Sequence, residues 1–135
     1  MAGYSETPLA KKLGLKAGCS VYVIGAPKDY LKLLAPLPRG ASILFKPVPG
    51  GADIVHLFVE TLAAFEAGLP KARTAMKTDG ALWISWYKKA AKIPTDLTED
   101  MIRARALTGD LVDVKVCAVS DIWSGLKLVV RTSLR

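Results

Sequence analysis

Lys88, Lys89 and Lys92 follow closely on Trp83, Trp86 and Tyr87. Ammonium groups beside aromatic rings are the pairing that holds phosphates and stacked bases at single-stranded nucleic-acid sites. This stretch is therefore a candidate surface for nucleic acid or another acidic partner. A solvated lysine edge explains the same residues. Side chains alternate faces along a strand, so Trp83 and Trp86 point to opposite sides and share no stacking platform.

A second candidate is Gly25-Ala26-Pro27-Lys28, which closes the apolar run Val21-Tyr22-Val23-Ile24. Adenosyl and dinucleotide cofactors use bare glycine backbone after a first strand, and an acid after the second strand to accept the ribose hydroxyls. Here there is one glycine, Pro27 removes an amide donor, and Lys46 stands where the acid is wanted.

His56 is the single histidine and sits inside Ile54-Val55-His56-Leu57-Phe58. Mid-strand placement predicts a packed, hydrogen-bonded ring rather than a general base. Cys19 and Cys117 lie in apolar runs with no identifiable base and read as buried thiols. One histidine and two distant cysteines do not make a zinc cluster. No catalytic residue, metal ligand or cofactor is assigned.

Among the acids, Asp96 and Glu99 have capping-box spacing, and Asp121 can cap a turn before Trp123, with Ser124-Gly125 reversing the chain. Glu60 is the least explained. It follows an apolar strand, where it can also favour the start of the next helix.

The elements that must position these groups follow from periodicity. Thr7-Pro8-Leu9-Ala10 opens a short helix that Gly14 ends, with Thr7 as cap and Pro8 in the first turn. Strands are predicted over 19–24, 41–46, 52–59 and 81–86. Short helical signal covers 29–35. Leu62, Phe65, Leu69, Ala72 and Met76 recur at steps of three and four, giving a helix that Pro70 kinks or restarts. Asp79-Gly80 turns the chain into the fourth strand, and 90–94 reads as loop. A helix runs from Asp96 to about Leu107, and strands over 111–119 and 126–131 close as an antiparallel hairpin.

The order is strand, helix, strand, strand, helix, strand, helix, strand, strand. It predicts an α/β domain: a three-layer, Rossmann-like sheet of about six mostly parallel strands with a C-terminal antiparallel hairpin. Pro47–Gly51 is too short for a crossover helix, so the second and third strands should flank the first. Ligands of such sheets bind beyond the carboxyl ends of the strands. That rim would carry Gly25, Pro27, Lys28, Glu60, Trp86, Lys88 and Lys89, with Asp121, Trp123 and Ser124 added by the hairpin turn.

The 135 residues, 14.5 kDa and 51% hydrophobic content fit one domain with a core of its own. A formal charge of +7 beside a mean hydropathy of +0.28 argues against disorder and favours phosphate or acidic partners. There is no leader-like start and no apolar run of membrane-spanning length. A cytoplasmic protein without membrane attachment is expected.

Gly3-Tyr4-Ser5-Glu6-Thr7-Pro8-Leu9-Ala10-Lys11-Lys12-Leu13-Gly14, Lys88-Lys89, Thr95–Glu99, Gly109–Val119 and Trp123-Ser124-Gly125-Leu126-Lys127 together resemble the DUF3052 family over essentially the full chain. Its members are small bacterial proteins with no established activity. The layout also resembles a shortened class I methyltransferase sheet that lacks one strand-helix unit. No methyltransferase site residue transfers with that likeness.

The leading functional expectation is a non-catalytic binding or adaptor module, with a protein or acidic partner, using the Trp86–Lys92 exit and the Asp121–Gly125 turn. The alternatives are a degenerate adenosyl-cofactor or nucleotide site near Gly25–Lys28, and a weak nucleic-acid surface at Lys88, Lys89 and Lys92. A homodimer face is a further possibility that no heptad or apolar patch decides.

Overall fold

A computed structural model describes residues 7–135; the Gly3–Glu6 part of the N-terminal motif lies outside them. The elements are α1 (Leu9–Leu13), β1 (Ser20–Ile24), α2 (Tyr30–Leu34), β2 (Ser42–Leu44), β3 (Ala52–Phe58), α3 (Leu62–Ala75), β4 (Met76–Tyr87), α4 (Glu99–Leu107), β5 (Leu111–Ala118) and β6 (Trp123–Val130).

The six strands form one sheet in the order β2-β1-β3-β4-β6-β5. β1 pairs in parallel with both β2 and β3, and β3 in parallel with β4. β6 runs antiparallel to both β4 and β5. This is the Rossmann-like α/β architecture expected. β2 and β3 flank β1 because the chain between them crosses as coil, with Val48 packed onto the core.

Helices cover both faces. α3 and α4 pack over Val55, Leu57, Leu82, Ile84, Trp86, Leu126 and Leu128. α1 and α2 cover Val21, Val23, Ile54, Phe58, Trp83 and Trp123. Trp83 and Trp86 thus enter different cores, as strand alternation requires. The Trp83 indole N–H donates to the Leu13 carbonyl at 3.1 Å and ties α1 to the sheet. Among the described residues, no helix is long and apolar enough to cross a membrane.

Several local expectations change. Pro8, not Thr7, occupies the N-cap position of α1. Pro70 remains inside α3, and Met76 leaves the helical stripe to begin β4. Asp79-Gly80 is therefore not a turn before the strand. Ala52 pairs with Met76 and Ile54 with Ala81, so Lys77–Gly80 is extra length taken up opposite Asp53. The Asp53 carboxylate fixes this irregularity by accepting from the Ser20 amide at 2.8 Å and the Lys77 ammonium at 2.7 Å. β6 begins at Trp123, earlier than the hydrophobic pattern places it. Ser120, rather than Asp121, caps the hairpin turn, its Oγ accepting from the Ile122 and Trp123 amides at 3.3 Å each.

Candidate functional site

Because β1, β3 and β4 are parallel, Gly25, Glu60 and Tyr87 leave the sheet at one edge, and antiparallel β6 starts there. A cavity of about 810 Å³ opens at this edge beyond β4. Trp86 and Tyr87 form its strand wall, with Ser124 of β6 beside them in register with Trp86.

The lysines come together through a tight turn. The Lys88 amide donates to the Ile122 carbonyl at 3.0 Å, and Lys89–Ala91 makes one turn of 3₁₀-helix. Lys92 then closes it in the left-handed region at φ 55°, its amide donating to the Lys89 carbonyl at 3.0 Å. That conformation is rare for a residue with a Cβ. It reverses the chain so that Lys88, Lys89 and Lys92 all line the same cavity.

The opposite wall is the start of α4. Thr98 Oγ1 accepts from the Met101 amide at 3.2 Å, making Thr98 the N-cap. Glu99 and Asp100 follow, both held by Arg103, at 2.6 Å and 3.3 Å. Arg103 also donates to Asp113 at 3.0 Å, and its hydrogen bonds to Glu99 and then to Asp113 raise its pKa.

The capping-box expectation is corrected here, since Asp96 caps a different helix. Its Oδ1 accepts from the Leu62 amide at 2.8 Å, at the start of α3, where Thr61 Oγ1 accepts from Ala64 at 3.1 Å. Thr95 Oγ1 donates to the Glu60 carbonyl at 2.7 Å. The 93–98 segment is thereby fastened to the exit of β3. Nothing in the local pattern pointed to this, because the Thr95 and Asp96 partners lie more than thirty residues away in the chain.

The remaining rim residues divide. Glu60 is exposed, and its carboxylate hydrogen-bonds to Tyr87. Burial first, then Glu60, raises the Tyr87 phenol above its ordinary pKa. Trp123 is a core residue rather than a rim residue: it is buried, stacked on Tyr87 at 4.6 Å and edge-on to Phe58 at 5.0 Å. Asp121 is exposed on the turn and does not line the cavity.

Gly25, Pro27 and Lys28 share the edge but lie outside the cavity lining. Gly25 has φ 71°, and a Cβ there would stand 2.8 Å from the Phe58 carbonyl oxygen. Its bare face serves the close approach of β1 to β3 rather than a ligand cradle. The Tyr30 amide donates to the Pro27 carbonyl at 3.1 Å, and the Tyr30 ring packs edge-on against His56 and Phe58. Lys46 lies exposed after β2. An S-adenosyl group laid over β1 and β2 would meet a lysine where its ribose needs an acceptor and a glycine already committed to strand packing. These residues do not fit it at that position.

His56 is fully buried, with Nδ1 3.0 Å from the Tyr30 hydroxyl and Nε2 2.7 Å from Ser85 Oγ. Burial pushes its pKa down to about 3, so the ring is neutral. The Ser-His-Tyr chain has the residue types of an activated nucleophile, but Ser85 is also fully buried and no substrate reaches it. Cys19 and Cys117 are half-buried rather than fully enclosed. Burial raises the Cys117 thiol, against the opposing effect of Lys12 and Lys115. Among the described residues there is no group of three His, Cys, Asp or Glu side chains placed to hold a metal ion.

The sequence matches no protein-family model and no curated protein. Solved structures do match. A SAM-dependent methyltransferase from Aquifex aeolicus superposes with a TM-score of 0.64 at 14% identity, over 95% of this chain and 91% of that one. A SAM-dependent O-methyltransferase from Thermotoga maritima gives 0.60 at 11% identity, over 90% and 63%. The ribosomal protein L11 methylase of Lactobacillus delbrueckii subsp. bulgaricus gives 0.57 at 11% identity, over 90% and 74%. These neighbours overturn the expectation of a non-catalytic adaptor module. At such identities the likeness is one of fold, and the fold is that of the Rossmann-like class I methyltransferases.

Proposed function

We propose that the chain binds an adenosine-bearing ligand, a nucleotide or an adenosyl cofactor, in the cavity at the exit of β4 instead of over β1. One observation carries this reading. A concave volume of about 810 Å³ lies at the carboxyl edge of a methyltransferase-type sheet, with ammonium groups on one wall and positioned carboxylates on the other. That volume is in the ordinary range for small-molecule sites.

The walls divide the ligand by chemistry. Lys89 and Lys92, with Lys88, take the phosphate of a nucleotide or the carboxylate of an adenosyl tail. Glu99 and Asp100 accept hydrogen bonds from ribose hydroxyls or from an amino acid ammonium. The Trp86 and Pro94 side supplies apolar ground for the base, and Thr95, Thr98 and Ser124 supply hydroxyls. Membership of the DUF3052 family and a cytoplasmic location belong to the same proposal.

The test is amide peak mapping of isotope-labelled protein titrated separately with AMP, ATP, S-adenosylmethionine and S-adenosylhomocysteine. Saturable shifts are expected in residues 86–100 and at Ser124, with ATP weakened about tenfold by Lys89→Ala with Lys92→Ala. Absence of saturable shifts with all four at millimolar concentration refutes the reading. Shifts confined to 25–28 would refute its placement.

A further inference from the structure

The other face of the sheet carries a charge arrangement that the cavity does not use. Lys115 of β5 and Lys127 of β6 are register partners in the antiparallel hairpin. Lys127 also pairs with Trp83 of β4, which places it on the α1 side of the sheet. Lys16, just after α1, borders the same hollow as Lys127, a depression of about 370 Å³. Lys115 borders a separate hollow of about 310 Å³ with Lys12 and Cys117.

Among the described residues, no carboxylate lies within ion-pair distance of Lys16, Lys115 or Lys127. Asp53 is the nearby acid in the first hollow, and it is committed to Lys77 and the Ser20 amide. Asp79 lines that hollow as well, without pairing to these lysines. Directly opposed like charges destabilise a strand pair. Consistent with this, the Lys127 ammonium is held below its ordinary pKa, first by burial and then by Lys115 and Lys16. A multiply charged anion turns that repulsion into attraction.

We propose that Lys16, Lys115 and Lys127 form a second anion site on the α1 face of the β5–β6 hairpin, one that takes an oligophosphate group. Three ammonium groups without a guanidinium fork suit the diffuse charge of adjoining phosphates better than the planar geometry of a single carboxylate. The neighbouring aromatic, Trp83, is fully buried, so a base has no ring to stack on here. The site therefore reads phosphate, either as free oligophosphate or as a nucleic-acid backbone.

Calorimetric titration of the folded chain at low salt, with inorganic tripolyphosphate and separately with a short single-stranded oligonucleotide, tests this. In a chain whose carboxyl-edge cavity already carries Lys89→Met with Lys92→Met, and so contributes no phosphate binding of its own, adding Lys115→Met with Lys127→Met should weaken tripolyphosphate at least about tenfold. Affinity should fall steeply with salt, and amide peaks of Lys16, Cys19 and Cys117 should move. In the absence of anion, the Lys115 and Lys127 double variant should melt no lower than the parent chain, since it removes a repulsion. Equal loss of oligonucleotide binding assigns the phosphates to a nucleic-acid backbone; loss confined to tripolyphosphate assigns them to free oligophosphate. No tripolyphosphate binding by the chain with the Lys89 and Lys92 substitutions, or equal binding when those of Lys115 and Lys127 are added, overturns the site. The two lysine pairs are read out separately, so failure here leaves the cavity reading standing, and the reverse.

Discussion

Acidification should expose the cost of burying His56. The folded ring has its pKa pushed down to about 3 by burial alone, and a histidine in the unfolded chain titrates near about 6.5. Between those values the unfolded chain holds a proton that the folded chain lacks. Stability is therefore complete above about pH 6.5 and falls as pH drops toward the folded pKa. At pH 5 the loss is about 2 kcal/mol, and at pH 4 about 3.5 kcal/mol. Urea unfolding followed by tryptophan fluorescence at pH 7, 6 and 5 measures it, with His56→Gln as the non-titrating reference. The variant loses hydrogen bonds to Tyr30 and Ser85 and should be about 1–3 kcal/mol less stable at pH 7. Between pH 7 and 5 it should then lose about 2 kcal/mol less than the parent chain. Asp110 and Asp53, held low by Arg73 and Lys77, contribute stability that is lost only as pH falls through the acidic carboxylate range. Both proteins share that contribution. Equal pH slopes for the two would refute the argument, as would an imidazole signal that titrates near pH 6 in the folded protein.

Two further substitutions separate strand packing from ligand contact. Gly25→Ala should cost about 1–3 kcal/mol, because an alanine must adopt φ 71° with its Cβ 2.8 Å from the Phe58 carbonyl oxygen; urea unfolding measures the loss, and ligand-dependent peak shifts at 86–100 should persist in the folded variant. Asp96→Ala should cost about 1 kcal/mol through the lost cap on Leu62, with amide exchange speeding up at the start of α3; unchanged exchange there would contradict the capping assignment.

The sheet was legible because its determinants are local. Apolar runs bounded by Gly and Pro marked the strands, and the shortness of 47–51 forced β2 and β3 to either side of β1. Where local signals competed, the longer-range pairing won. Asp79-Gly80 carries turn chemistry, yet the chain stays in β4 and spends that chemistry on an irregularity opposite Asp53. The lysines of the cavity were visible as a run, whereas its acidic wall was not. Glu99 was explained by the helix start, and only the fold brings that start, with Asp100 beside it, over the exit of β4. Trp123 misled for a related reason: its neighbour Ser124 faces the cavity, so alternation sends Trp123 into the other core. The opposed pair Lys115 and Lys127 depends on hairpin register, which a shift between Asp113 and Lys115 alters and no composition reveals.

The position of the cavity follows from connectivity. In open α/β sheets the expected crevice lies where strand order reverses, which here is β1, with β2 on one side and β3 on the other. That end is reduced: β2 has three residues, α2 has five, and Tyr30 packs against the exit of β3. A second discontinuity lies between β4 and β5, because β6 is inserted between them. The chain leaving β4 must turn at Lys89–Ala91, cross to α4 and descend to the far edge, while β6 enters beside β4 in the opposite direction. Outgoing chain and incoming strand cannot occupy the same ground, so a hollow remains between them, walled by the lysine turn and the acidic start of α4. The proposed ligand site has thus moved along the carboxyl edge from the first reversal of strand order to the second. The residues around it answer to that crossing rather than to a glycine-rich loop.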